Sequence, residues 1–300
     1  MNGPVALQTT GLGKCYRTRW ALRGVDLAIP AGSVAALVGP NGAGKTTLLQ
    51  LAMGLLEPTE GSVAVFGAQA AANTAAALSR VGFVAQDHPL YGFMRVGELL
   101  RFGVATNRRF DVDYARRRLE ALAIGAGQRV SRLSGGQQAQ VALVLALAKR
   151  ARLLVLDEPL ASLDPLARRE FMAVLMDEVA EGSVTVLLSS HVLAELQRVA
   201  DHLIVLCGGQ VRLAGDVDEI IATHRHVTGP AAAESAAQAG GRVVAAQRLA
   251  RGTRLLVRAD GDAVVHPAWQ ADPAGLEEIV LAYLRAPGPV TAGRGGSEVA

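Results

Sequence analysis

The run Gly39-Pro40-Asn41-Gly42-Ala43-Gly44-Lys45-Thr46-Thr47 sets the reading of the whole chain. It follows Val34-Ala35-Ala36-Leu37-Val38, an apolar run of buried-strand type, and precedes Leu48-Leu49-Gln50-Leu51-Ala52-Met53, the apolar face of a helix. A strand, a glycine-rich turn and a helix start make a phosphate-binding loop. Gly39, Gly42 and Gly44 let backbone N–H groups converge on an anion at a helix N-terminus, where the dipole also favours negative charge. Lys45 would reach the β- and γ-phosphates of a nucleotide and the Thr46 hydroxyl would ligate Mg²⁺, with Asn41 and Thr47 completing the cradle. Only three lysines occur in the chain and one stands here, where a compact ammonium fits between phosphate oxygens better than a planar guanidinium.

Other polar residues stand at the ends of apolar runs. Leu153-Leu154-Val155-Leu156 ends at Asp157-Glu158-Pro159. Two adjacent carboxylates at a strand end are costly to desolvate without a cation, and beside a phosphate loop that cation is Mg²⁺. Asp157 would hold the ion, and Glu158 would orient or deprotonate the attacking water. Val81-Gly82-Phe83-Val84-Ala85 ends at Gln86, on the side where an open α/β sheet keeps its ligand crevice. Val184-Thr185-Val186-Leu187-Leu188 ends at Ser189-Ser190-His191, where the histidine could donate to a γ-phosphate oxygen. Ahead of the loop, Tyr16 can stack on a purine ring, a contact of about 1–3 kcal/mol. Leu133-Ser134-Gly135-Gly136-Gln137 opens a long helix, with Ser134 as a natural cap and glycines that leave N–H groups open to an anion.

Composition sets bounds. Half of the 300 residues are hydrophobic and 19% are charged, ample for one sizeable core and a smaller appendage. The net charge of +3 does not argue for nucleic acid, and Arg108-Arg109 and Arg116-Arg117-Arg118 read as solvated helix faces. Cys15 and Cys207 lie far apart without metal or redox spacing, which implies a reduced compartment. The N-terminus has no signal-peptide pattern, and no run approaches eighteen uncharged apolar residues, so a soluble chain is expected. Helical spacing over 96–102 and 114–124 suggests an inserted lobe. A helix or loose connection is expected over 68–79 and a linker near 223–239. Strands near 243–246 and 255–257 and a helix over 276–284 follow, and the glycine- and proline-rich stretch 287–300 reads as disordered.

The order of these pieces closely resembles the ATP-binding subunit of ABC transporters over about residues 5–220. The phosphate loop, Gln86, Leu133–Gln137, Leu153–Pro159, Leu163-Asp164 and His191 are similar to that family's Walker A, Q-loop, signature, Walker B, D-loop and H-switch. The resemblance implies an α/β fold: a P-loop NTPase (RecA-like) core, a small antiparallel β subdomain, an inserted helical lobe and a small C-terminal α/β appendage. It divides the chain into an ATPase domain over 1–222 with its lobe at about 87–134, a C-terminal region over 223–286, and the tail.

It also implies ATP with Mg²⁺ as cofactors and a second ATPase subunit closing head to tail. Each ATP would lie between one phosphate loop and the partner's Ser134, Gly135, Gly136 and Gln137, with Asp164 nearby. Thr46, Asp157 and Gln86 would serve Mg²⁺; Glu158, His191, Lys45 and Gln86 would carry catalysis. The partner would be an integral membrane permease, with this chain peripheral on the cytoplasmic face. Leu276-Glu277-Glu278-Ile279-Val280 is similar to the end of drug-efflux subunits and favours export, with import as an alternative. A ribosome-acting ABC-type ATPase is the rival from another class, although such chains usually carry two cassettes and a charged linker.

Overall fold

The structure, a computed structural model, describes residues 4–70, 78–182, 184–190, 193–230, 241–250, 252–259 and 269–286. It falls into two compact units, Met1–Ala222 and Thr223–Ala300.

In the first unit the chain runs through β1 (Val5–Tyr16), β2 (Arg19–Pro30), β3 (Val34–Val38), α1 (Lys45–Ala52), β4 (Glu60–Val65), β5 (Ala68–Gln69) and β6 (Val81–Val84). The lobe follows, with α2 (Val96–Thr106), α3 (Val112–Ala121) and a 3₁₀ turn at Val130–Arg132. Then come α4 (Gly135–Ala148), β7 (Leu153–Asp157), α5 (Pro165–Ala180), β8 (Thr185–Ser190) and α6 (Leu193–Leu196). The hairpin β9 (His202–Cys207) and β10 (Gln210–Asp216) and the helix α7 (Val217–Thr223) complete it.

Two sheets organise this unit. One has the order β10-β9-β3-β8-β7-β6, all parallel except the β9–β10 hairpin. Every residue of β3, β7 and β8 is buried, as expected of parallel strands covered on both faces. The other sheet, β2-β1-β4-β5, is antiparallel. Along β2, Val25, Leu27 and Ile29 are buried while Asp26 and Ala28 are exposed, the alternation of a sheet with one wet face. Both sheets contribute to one core with α1, built on Leu7, Leu12, Leu37, Leu48, Leu51, Val155 and Leu187.

β1 runs to Tyr16, beyond the strand that the sequence suggests near Val5–Gln8, because register shifts near Gly11 and Gly13 break the alternation. Ala68–Gln69 form a short strand instead of the start of a helix, and residues 71–77 lie outside the described residues.

The second unit carries β11 (His224–Gly229), β12 (Arg242–Leu249), β13 (Gly252–Arg258), β14 (Gln270–Pro273) and α8 (Leu276–Arg285). Its antiparallel sheet has the order β12-β13-β11-β14. Of the linker expected near 223–239, residues 231–239 lie outside the described residues and His224–Gly229 is a strand. Two buried histidines disguise it: His224 Nε2 lies 3.0 Å from the Tyr283 hydroxyl and His226 Nε2 lies 3.0 Å from Glu278 Oε2. Val227, Leu255, Val257 and Trp269 form the unit's small core. The expected disordered tail, 287–300, lies outside the described residues.

Candidate functional site

Four strands of the parallel sheet end at one edge. β3 delivers the phosphate loop, β7 delivers Asp157 and Glu158, β8 delivers Ser189, and Gln86 follows β6. Lys45, Thr46, Asp157 and Glu158 line an open cleft of about 1040 Å³ together with Gly39, Asn41, Gly42, Gly44, Thr47, Gln86 and Tyr16. Trp20 and Arg19, which the sequence did not single out as ligand residues, line it too.

The loop's glycines are required by space as well as by conformation. A Cβ on Gly39 would lie 2.2 Å from the Leu206 carbonyl oxygen. Gly44 has φ +107, and a Cβ there would meet the Ala21 carbonyl oxygen at 2.5 Å. Gly44 caps α1 without any side-chain acceptor, which leaves the first turn's N–H groups for an anion.

Lys45 is buried, donates from Nζ to the Gly39 carbonyl at 2.8 Å, and pairs with Glu158 Oε1 at 3.3 Å. Thr46 Oγ1 donates to Asp157 Oδ2 at 3.0 Å. The other Asp157 oxygen, Oδ1, accepts from Ser189 Oγ at 2.7 Å, and that same hydroxyl accepts from the Glu158 backbone N–H at 2.9 Å. Ser189 is fully buried. It thus aims one carboxylate and anchors the backbone of the next. Glu158 has φ +46, a left-handed conformation uncommon for a residue with a side chain. Three oxygen-bearing side chains, a buried ammonium and an uncapped helix start fit a nucleotide triphosphate with a hard divalent cation such as Mg²⁺.

Two further residues belong to this neighbourhood. Ser189 carried no assigned role in the sequence, where it is one of two serines before His191. His88 follows Gln86 with φ +44 and is buried. Its imidazole donates to the Pro159 carbonyl, joining the Gln86 loop to the Asp157-Glu158-Pro159 turn, and burial pushes its pKa down. His191, expected near the γ-phosphate, lies outside the described residues.

The remaining expected ligands stand elsewhere. Ser134 and Gln137 form a reciprocal cap at the start of α4, with Ser134 Oγ accepting from Gln137 N at 3.2 Å and Gln137 Oε1 accepting from Ser134 N at 3.0 Å. Ser134 and Gly135 are exposed, and neither they, Gly136 nor Gln137 lines the cleft. Asp164 is also exposed and caps α5, accepting from Leu166 N at 2.9 Å and Ala167 N at 3.0 Å.

A phosphate loop at the end of a central parallel strand, facing a carboxylate pair on the next strand but one, defines a P-loop nucleoside-triphosphatase fold. The family model described as ABC transporter matches residues 22–161. The chain is 38% identical over 217 residues to the aliphatic sulfonates import ATP-binding protein SsuB of Pseudomonas putida, covering 71% of this chain and 77% of that protein. It is 37% identical over 223 residues to the Fe(3+) ions import ATP-binding protein FbpC 2 of Rhodococcus jostii, covering 73% of this chain and 64% of that one.

Among solved structures it is similar to a dimeric ATP-binding cassette in a post-hydrolysis state bound to ADP and Pi. The TM-score is 0.63 and the identity 25%, over 70% of this chain and 98% of that one. The chain belongs to the ABC transporter family, as an ATP-binding cassette whose ligands are ATP and Mg²⁺. Both curated relatives are named for import, which runs against the export direction expected from Leu276–Val280. That segment's apolar residues, Leu276, Ile279 and Val280, are buried at helical spacing in α8, so their pattern reports packing.

Proposed function

We propose that the chain hydrolyses ATP to ADP and phosphate and so powers a separate membrane permease in uptake. The observation that carries this reading is the direct join of two distant motifs, Thr46 Oγ1 to Asp157 Oδ2 and Lys45 Nζ to Glu158 Oε1. Lys45 and the N–H groups of the loop would hold the β- and γ-phosphates. Thr46, Asp157 and Gln86 would hold Mg²⁺, which when bound neutralises phosphate charge. Glu158 would orient the attacking water and take its proton, with Lys45 beside it balancing the charge. His191 is proposed as the γ-phosphate donor. Tyr16 would stack on the adenine.

Ser134 and Gly135 of the signature lie outside the cleft and are exposed, which supports a second cassette supplying Ser134 and its neighbours to this one's phosphates. Loss of the γ-phosphate would remove that contact and let the pair part. Among the described residues no helix is long and apolar enough to cross a membrane. The lobe's exposed Tyr91, Phe93 and Phe102, with ring centroids within 5.9 Å of Tyr91, support a contact with it beside Gln86. The import direction rests on the named relatives.

Glu158→Gln tests the chemistry. The variant is expected to bind ATP with Mg²⁺, to lose turnover by about 10²–10⁴-fold and to accumulate as an ATP-bound dimer in sedimentation. Full ATPase activity would refute the role given to Glu158.

A further inference from the structure

Glu178, in the last turn of α5, is 1% exposed, and the nucleotide chemistry gives it no task. Two arginines from other elements meet it: Arg150 Nη1 lies 3.3 Å from its Oε2 and Arg118 Nη2 lies 3.6 Å from its Oε1. Arg150 also donates from Nε and Nη2 to Asp111 Oδ2 at 3.2 and 2.9 Å, and its guanidinium sits 4.1 Å from the centre of the Tyr114 ring. Asp111 in turn caps α3, accepting from Tyr114 N at 2.9 Å, and its own backbone N–H donates to the Ala148 carbonyl at 2.8 Å. Arg118 further pairs with Asp177 at 3.0 Å. One guanidinium therefore joins the start of α3, the end of α4 and the end of α5.

The backbone at Arg150 has φ +52, directly after α4 and its cap residue Lys149. Glycine or asparagine is the usual occupant of that left-handed position, because a Cβ strains it. Arginine stands there despite the strain, and its fork and flat face meet Asp111, Glu178 and the Tyr114 ring. At the opposite end of the same helix pair, a Cβ on Gly136 of α4 would fall 2.8 Å from the Ala167 Cβ of α5. The two helices are thus locked at both ends. Their N-termini carry Ser134 and Asp164, two exposed caps that do not line the cleft.

We propose that Arg150 and Glu178 are positioning residues for the signature: their junction holds α3, α4 and α5 as one body, and so sets where Ser134 meets the neighbouring cassette's phosphates. The inference rests on the reading that two cassettes enclose the nucleotide. Neither residue lines the nucleotide cleft, so ATP binding by a single cassette is independent of them.

The test uses the full chain in the Glu158→Gln background. Arg150→Met keeps side-chain length and removes the charge. It is expected to leave MgATP affinity of the single cassette within about twofold and to raise the dissociation constant of the ATP-bound dimer by about tenfold. With Glu158 intact, kcat should fall by a similar factor while KM for ATP stays in place. Ser134→Ala added to Arg150→Met should cause no further loss, because both act on one contact; independent effects would multiply. Glu178→Gln, an isosteric change, should reproduce the Arg150→Met profile and serves if the methionine variant does not fold.

A dimer as tight as the parent's, losses that multiply with Ser134→Ala, or parallel loss of ATP affinity and dimerisation would each overturn the inference. If the Glu158→Gln parent itself fails to dimerise with ATP, the two-cassette reading fails and takes this one with it.

Discussion

Replacing Ser189 by alanine removes one hydroxyl and two hydrogen bonds, and both ends of the loss fall on the proposed chemistry. The bond to Asp157 Oδ1 at 2.7 Å is made to an ionised group, worth about 1.5–3 kcal/mol net. The bond from the Glu158 N–H at 2.9 Å is worth about 1 kcal/mol. Ser189 is fully buried, so water does not replace the hydroxyl without rearrangement. The sum is about 3 kcal/mol, which in a unit of this size lowers the thermal midpoint on the order of 5–10 °C. Asp157 then keeps the Thr46 hydroxyl, and its carboxylate is freer to rotate away from a cation. The Mg²⁺ concentration for half-maximal ATPase activity should therefore rise, and Ser189→Thr, which retains the hydroxyl, should restore it. Scanning calorimetry and a Mg²⁺ titration of turnover measure the two effects. Unchanged Mg²⁺ dependence with a shift under about 1 kcal/mol would refute the reasoning.

Other expectations concern the cleft and its surroundings. Gly44→Ala places a Cβ against the Ala21 carbonyl at φ +107, so stability should fall by at least about 2 kcal/mol and MgATP binding should be lost in equilibrium dialysis. Tyr16→Ala removes the proposed stacking platform, and ATP affinity should weaken by about 5–150-fold in a fluorescent-nucleotide titration. His88 is held neutral by burial, so the folded state binds its proton less readily than the unfolded chain does. The stability it contributes is present above about pH 6.5 and is lost as the pH falls below that value. Thermal midpoints at pH 7.5 and about 5.5 should differ less in His88→Asn, whose side chain tolerates the left-handed backbone, than in the parent.

Much of the core was legible because parallel strands buried on both faces are continuous apolar runs. β3, β7 and β8 stand out for that reason, and the polar residues that end them converge because parallel strands share one carboxyl edge. Ser189 was not legible, since its role depends on register: β7 and β8 pair so that Asp157 lies beside Ser189, and nothing local encodes that. The junction at Arg150 is hidden for the same reason, with Asp111 and Glu178 lying 39 and 28 residues away. β11 was taken for linker because two of its buried positions are histidines, which look like solvated residues until Tyr283 and Glu278 meet them. β14, Gln270–Pro273, has no apolar alternation to detect and is all exposed. The export direction was read from a helix whose apolar spacing serves its own packing, and it finds no support in the two relatives named for import.

The left-handed twist at Glu158 has a consequence for how this cassette can evolve or be engineered. Glycine there would relax the backbone by about 0.4–1 kcal/mol, but it would also strip the buried Lys45 ammonium of its paired carboxylate, a larger loss. A screen for robustness alone would therefore hold the carboxylate in place, so folding and the proposed water activation favour the same side chain despite its twisted backbone.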